Sequence, residues 1–212
     1  MVNSVPGVTL THADWLTARI AEMGRSWGTA TPRVAGTLWW CMVASALVEQ
    51  LVRAYVDGMP APRPELRSLD CEVRPDGGVD RVHLLPGAHT PAGNPLDTGA
   101  PASAMHDTLA AVIAPVAEAS GVGVAALWAI AADAIGNRAL DAGDPVAGAR
   151  LAAEIGGKLP VPRFVEVGGR TFVRRISCCL VFEVPGCQMC TSCPKRPAAQ
   201  RAALLAALAA ES

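Results

Sequence analysis

PRVAGTLWWCMVASALVEQLVRAYV, residues 32–56, is an almost wholly apolar stretch of the 212-residue chain. It opens with a proline, which suits the first turn of a helix, and Asp57-Gly58 follows it as a stop. A segment that is apolar all round predicts a helix buried at the centre of the molecule. Its cleanest apolar run, Leu38 to Val48, falls short of the ~18 residues that a membrane span needs. We therefore expect a core helix and no membrane span.

Shorter patterns on both sides predict more helices and two β-hairpins. Expected helices cover 11–23 with Thr11 as cap, 105–116 with a kink or break at Pro115, 122–140, 144–157 with Asp144 as cap, and 197–210. Expected hairpins pair 69–73 with 79–85 and 163–167 with 170–175, and 86–101 is expected to be loop. These patterns predict an α+β fold with a predominantly helical body, residues 1–160, and a small cysteine-rich C-terminal segment, residues 161–212.

The composition excludes disorder for most of the chain and argues against a disulfide framework. Hydrophobic residues make up 51% of the chain and charged residues 17%, which is typical of a chain that buries a core. The seven cysteines are an odd number, and residues 1–7 lack the pattern of an export signal. We therefore expect a cytoplasmic protein in which the cysteines serve thiol chemistry or a metal site.

The charge is distributed unevenly along the chain. Residues 1–157 carry ten Lys and Arg against sixteen Asp and Glu, a net charge of −6, whereas residues 158–212 carry eight against three, a net charge of +5. The basic residues are not interleaved with aromatic ones, and no nucleic-acid-binding motif is present, so a nucleic-acid partner is not expected. The basic end coincides with the densest cysteine cluster.

Five cysteines lie between Cys178 and Cys193, a density that favours zinc, copper(I) or an iron–sulfur cluster. The vicinal pair Cys178-Cys179 separates these options. Neighbouring side chains on a strand point to opposite faces, so both can serve one centre only if the backbone departs from the strand there. A two-iron cluster, which offers two ligand positions on each iron, fits better than tetrahedral zinc, but zinc stays open on geometry alone.

Cys178-Cys179, ten residues, Cys190, two residues and Cys193 form a spacing that resembles the C-terminal signature of the FhuF-like ferric-siderophore reductases. Residues 174–196 carry this likeness, including Pro185-Gly186 in the loop and Pro194 after the last cysteine. The resemblance implies a [2Fe-2S] cluster with those four cysteines as ligands. Cys187 departs from the minimal pattern; it is expected to be a free thiol, with replacement of Cys190 as the other possibility.

The basic residues that flank the motif have an expected electrostatic role. An oxidised two-iron, two-sulfide, four-thiolate cluster carries a charge of about −2, and nearby cations favour its reduction. We expect Arg174, Arg175, Lys195 and Arg196 to raise the reduction potential or to steer an anionic partner.

The resemblance implies an oxidoreductase: one-electron reduction of iron(III) held by a siderophore, with a hydroxamate type expected, and release of iron(II). The sequence has no acid–base set and no nicotinamide or flavin fingerprint, so a separate electron donor is expected. Two alternatives stay open. One is a non-enzymatic zinc-binding or redox-sensing module, and the other is an accessory protein that binds a siderophore.

The remaining residues of chemical interest carry weaker signals. The four histidines, His12, His83, His89 and His106, have no metal-ligand spacing, and Cys41 and Cys71 are expected to be inert thiols. The helical tryptophans, Trp39, Trp40 and Trp128, are expected in the core, with one of them a candidate to line the chelate pocket.

Overall fold

The computed structural model describes residues 3–86 and 99–211 and confirms the predicted α+β class. The helices are α1 (Ala13–Trp27), α2 (Pro32–Val56), α3 (Gly99–Ser120), α4 (Val124–Asp141), α5 (Pro145–Ile155) and α6 (Ala198–Ala210). The strands are β1 (Asn3–Pro6), β2 (Leu69–Val73), β3 (Val79–Leu84), β4 (Phe164–Val167) and β5 (Arg170–Val173). The division at residue 160 stays a prediction; β5 packs on α4 across it.

Helix α2 is the centre of the body and packs against α1, α3, α4, α5 and β3. Trp39 and Trp40 are both fully buried, so neither lines an open pocket. Trp39 Nε1 donates to the carbonyl of Gly77 at 2.9 Å, and Trp40 Nε1 donates to the carbonyl of Leu127 at 2.8 Å. Because both indole N–H groups are hydrogen-bonded, the two large adjacent aromatic side chains can be buried without leaving an unsatisfied donor. These two hydrogen bonds connect the turn between β2 and β3, and helix α4, to helix α2.

Helix α2 is also, within the described part of the chain, the one helix long and apolar enough to cross a membrane by length and composition. The expectation from its cleanest apolar run alone did not anticipate this. Of its most apolar window, 72% is buried inside the molecule. Core helices of soluble proteins share this composition, so the pattern is weak evidence for a span.

The first sheet has one strand more than the predicted hairpin. Strand β1 pairs antiparallel with β2, with Asn3 opposite Val73, and the predicted β2–β3 hairpin follows. The NSVP segment of β1 is too short, and too close to a proline, to show a strand pattern. The second hairpin, β4–β5, forms as predicted with Gly168 and Gly169 at its turn, both at positive φ.

Helices α1 and α3 differ from the prediction. Helix α1 has no side-chain cap, because the Thr11 hydroxyl donates to the carbonyl of Val8 at 2.8 Å instead. Helix α3 continues through Pro115 without a break and begins at Gly99, inside the predicted loop, whose residues 87–98 lie outside the described part. Asp144 caps α5 as predicted and accepts from the Ala147 amide at 2.9 Å.

Gly36 lets α2 approach the end of α3. A Cβ at this position would lie 2.3 Å from the Cβ of Ser120, a distance that real side chains do not reach. We expect Gly36→Ala to lower the free energy of unfolding by about 1–3 kcal/mol, measured by urea denaturation, because the helices must move apart. Gly123→Ala is the control, since its Cβ meets open space. Equal effects of the two substitutions would show that this contact does not limit packing.

Candidate metal centre

A buried carboxylate on α4 holds the chain just before the vicinal cysteines. Asp133, 3% exposed, accepts from the amides of Ile176 at 3.0 Å and Ser177 at 2.9 Å, and from the Ser177 hydroxyl at 2.5 Å. Residues 174–180 are in neither a helix nor a strand. Hydrogen bonds to an ionised acceptor are among the stronger ones in proteins, so they fix the position from which Cys178 and Cys179 project.

The backbone turns sharply at the residue after the two cysteines. Leu180 has φ 60° and ψ 11°, and it is the single non-glycine residue of the described chain at positive φ. Its side chain is buried, which holds this strained conformation in place. The amides of Leu180 and Val181 donate to the sulfurs of Cys178 and Cys179 respectively. This departure from strand geometry is the one that the vicinal pair requires.

The four cysteines of the motif meet as two pairs, each with one member from Cys178-Cys179 and one from the loop. The Sγ atoms of Cys178 and Cys193 lie 3.7 Å apart, and the thiols of Cys179 and Cys190 are close enough to shift each other's pKa. Two thiolates bound at about 2.3 Å to one tetrahedral metal lie ~3.8 Å apart. Cys178, Cys179 and Cys190 are half-buried, and Cys193 is buried. The spacing suits two thiolates on each of two metal ions.

The four thiols are not grouped as the ligands of a single metal ion. Within residues 3–86 and 99–211, no group of three or more His, Cys, Asp or Glu side chains is arranged to hold one metal ion.

Without a metal, the pKa values of Cys179 and Cys190 are shifted in opposite directions. The hydrogen bond from Cys190 lowers the pKa of Cys179 to about 5 against the opposing effect of burial, and the Val181 amide and Arg175 add to the lowering. The same hydrogen bond, followed by burial, raises the pKa of Cys190. Burial is the main cause that raises the pKa of Cys178. Cys179 is therefore the preferred thiolate, with Cys190 as its proton donor.

The four flanking cations have different surroundings. Arg175 is the one that reaches a sulfur in the described part: its Nη1 lies 3.7 Å from Cys190 Sγ, and its Nε lies 3.6 Å from Asp133 Oδ2. Arg196 donates to the carbonyls of Cys190, at 2.9 Å, and Met189. Lys195 lies 3.9 Å from Glu183 and over the Phe182 ring, whereas Arg174 is exposed. Of the four cations, Arg175 therefore contacts a sulfur, Arg196 stabilises the loop, and Arg174 and Lys195 are surface charges.

Three residues at the site were not among the predicted ones. The sequence could have indicated Asp133, because it is the one acidic residue inside the apolar 122–140 pattern. Arg201 of α6 donates to the carbonyls of Cys193 at 3.3 Å and Arg196 at 3.1 Å. Cys41 of α2 lies within electrostatic range of Arg175 and Cys179, and burial raises its pKa to about 12. Cys41 therefore stays protonated as expected, but it lies beside the site.

The remaining candidates are elsewhere. The Cys187 amide donates to the Val184 carbonyl at 3.1 Å, and its side chain packs against the hydrophobic core, outside both thiol pairs. His83 bonds to Glu72 at 2.5 Å, and the ring of His106 stacks on Trp128 with centroids 5.4 Å apart. His89 lies outside the described residues.

The comparison with known protein families gives one match and locates it. Residues 175–195 match the family model described as FhuF 2Fe-2S C-terminal domain, which agrees with the resemblance seen in the cysteine spacing. Among curated proteins, none matches the chain. The matched residues contain Arg175, both members of each thiol pair and Cys187. Residues 175–195 are therefore similar to the FhuF-type C-terminal domain, and this match indicates a [2Fe-2S] cluster as the cofactor.

Proposed function

We propose that the protein is a cytoplasmic ferric-siderophore reductase in which Cys178, Cys179, Cys190 and Cys193 hold the [2Fe-2S] cluster. The observation that carries this proposal is the meeting of these thiols in two pairs inside the segment that matches the FhuF-type domain. Cys187 is proposed to be a free thiol, because it lies outside the Cys-Cys-x10-Cys-x2-Cys spacing and its side chain makes no hydrogen bond to another thiol in the described structure.

The proposed reaction transfers one electron to each chelated iron(III) and yields one iron(II). When bound, a [2Fe-2S] cluster supplies electrons one at a time. The electron comes from a separate one-electron donor protein or a small-molecule reductant. Hard oxygen chelators of the hydroxamate type hold iron(III) far more tightly than iron(II), so the reduced ion leaves. No proton transfer is needed, in keeping with the absence of an acid–base set from the sequence.

The chain's own contribution is to hold the thiolates close to the surface and to attract the partner. Cys178, Cys179 and Cys190 are each half-buried, so a docked chelate can approach the site without a large rearrangement. Arg174 and Lys195 are exposed at the same segment and favour an electron donor of negative charge. Arg196 and Arg201 stabilise the loop that carries Cys190 and Cys193 by binding its carbonyl oxygens.

A single-turnover experiment tests the proposal. Protein reduced without air and freed from excess reductant is mixed with a ferric trihydroxamate chelate in the presence of an iron(II)-specific indicator. We expect about one iron(II) per reduced cluster, because each cluster carries one transferable electron. Oxidised protein is the control and should release none. Binding of the chelate without iron(II) formation would contradict the reductase and favour the siderophore-binding alternative.

A further inference from the structure

The two thiol pairs do not have the same surroundings. The guanidinium of Arg175 approaches the sulfurs of both Cys179 and Cys190. The Val181 amide interacts with Cys179. At the other pair, the Leu180 amide interacts with the sulfur of Cys178. Hydrogen bonds and positive charge at the sulfurs stabilise added negative charge on the metal that those sulfurs bind.

The buried carboxylate at the site, Asp133, lies beside Arg175. Asp133 accepts from the amides of Ile176 and Ser177, the two residues that lead into Cys178. Arg175 connects these two regions, with Nε towards Asp133 and Nη1 towards Cys190. Arg201, the other cation near the first pair, contacts the carbonyl oxygen of Cys193 and not its sulfur. Within the described residues, the contact between a cation and a sulfur is therefore at the Cys179–Cys190 pair and not at the Cys178–Cys193 pair.

From this asymmetry we infer that Cys178 and Cys193 bind one iron, that Cys179 and Cys190 bind the other, and that Arg175 directs the reducing electron to the second. The sulfur separation of 3.7 Å supports the assignment, because it matches two thiolates on one tetrahedral metal. Reduction adds one electron to a pair of ferric ions, so one iron becomes ferrous and the other stays ferric. The inference rests on the proposed ligand set, and Arg175 acts in it as a positioning residue.

The assignment is tested on the wild-type holoprotein by proton NMR in the reduced state. The β-protons of ligands to ferrous and ferric iron differ in their hyperfine shifts and in the temperature dependence of those shifts. We expect the protons of Cys179 and Cys190 to have the ferrous pattern and those of Cys178 and Cys193 the ferric one. A ferrous pattern at Cys178 and Cys193, or a mixed set such as Cys178 with Cys179, would overturn the inference.

The role of Arg175 is tested by the reduction potential, which a purely structural role would not shift selectively. Arg175→Gln is expected to lower the reduction equilibrium constant about tenfold, ~59 mV for one electron. Arg174→Gln removes the neighbouring exposed charge, and we expect a change of less than about threefold because solvent screens it. Arg175→Lys keeps the charge and should lie between Arg175→Gln and wild type.

Equal potentials for the Arg175→Gln and Arg174→Gln proteins would contradict the inference. If Arg175→Gln prevents cluster binding, the reduction potential of the Arg175→Lys protein and the NMR experiment on the wild-type protein test the inference instead. These outcomes are independent of iron(II) release from the chelate, so the reductase proposal can hold while this inference fails. A wild-type protein without acid-labile sulfide would overturn both.

Discussion

Replacing Cys193 by serine is expected to leave the purified protein with less than about one fifth of the wild-type acid-labile sulfide. Cys193 is 1% exposed, and its sulfur lies 3.7 Å from that of Cys178, so no other side chain of the described structure is placed to take over. A serine hydroxyl is a harder and far less acidic ligand than a thiol, so one metal position becomes incomplete. Iron and sulfide analysis of protein purified without air measures the effect, against about two of each per wild-type chain.

The matched control is Cys187→Ser. It makes the same chemical change within the same segment, six residues away, but at a thiol outside the Cys-Cys-x10-Cys-x2-Cys spacing. We expect the Cys187→Ser protein to keep its iron and sulfide. The opposite result, loss in Cys187→Ser and retention in Cys193→Ser, would contradict the proposed ligand set and make Cys187 a ligand.

Asp133→Ala is expected to lower the free energy of unfolding by about 3–5 kcal/mol and to accelerate loss of the cluster. The substitution leaves three donors of Ile176 and Ser177 without their acceptor and removes the anion beside the largely buried Arg175. An unsatisfied buried donor costs ~1–3 kcal/mol, and an unpaired buried charge costs more. Urea denaturation measures the stability, and transfer of iron to a strong chelator measures the rate of cluster loss.

Asp141→Ala serves as the control for Asp133→Ala. Asp141 is also on α4, but its carboxylate is exposed and lies 3.7 Å from Arg138, an arrangement of the kind that contributes about 0–1 kcal/mol. The cluster should stay bound in this variant. If the two alanine variants lose iron at the same rate, Asp133 does not hold the segment that carries Cys178 and Cys179.

The sequence allows prediction of those parts of the fold that depend on local patterns. The core helix α2, the Asp144 cap and the Gly168-Gly169 turn each follow from a few neighbouring residues. Strand β1 could not be predicted, because its extended form depends on pairing with β2, which lies more than sixty residues later. Helix α3 passes through Pro115 because tertiary packing outweighs the lost backbone hydrogen bond.

The candidate site divides in the same way. The spacing of Cys178, Cys179, Cys190 and Cys193 identified the thiols, but not which of them meet, because pairing depends on the left-handed turn at Leu180. Leucine has no local preference for that conformation, which only burial of its side chain maintains. The proximity of Asp133 and Cys41 to the site arises from the packing of α4 and α2, which no local pattern contains.

Each thiol pair takes one member from the vicinal cysteines and one from the later loop, which has a consequence for how the protein matures. Neither half of the segment contains a complete pair, so the first iron position is complete only after Cys190 has been synthesised and the second only after Cys193. Cluster insertion is therefore a late step of biogenesis, and a nascent chain or a fragment truncated before Cys190 has no complete position for iron. The assembled cluster then closes the segment covalently, as a disulfide would in an oxidising compartment.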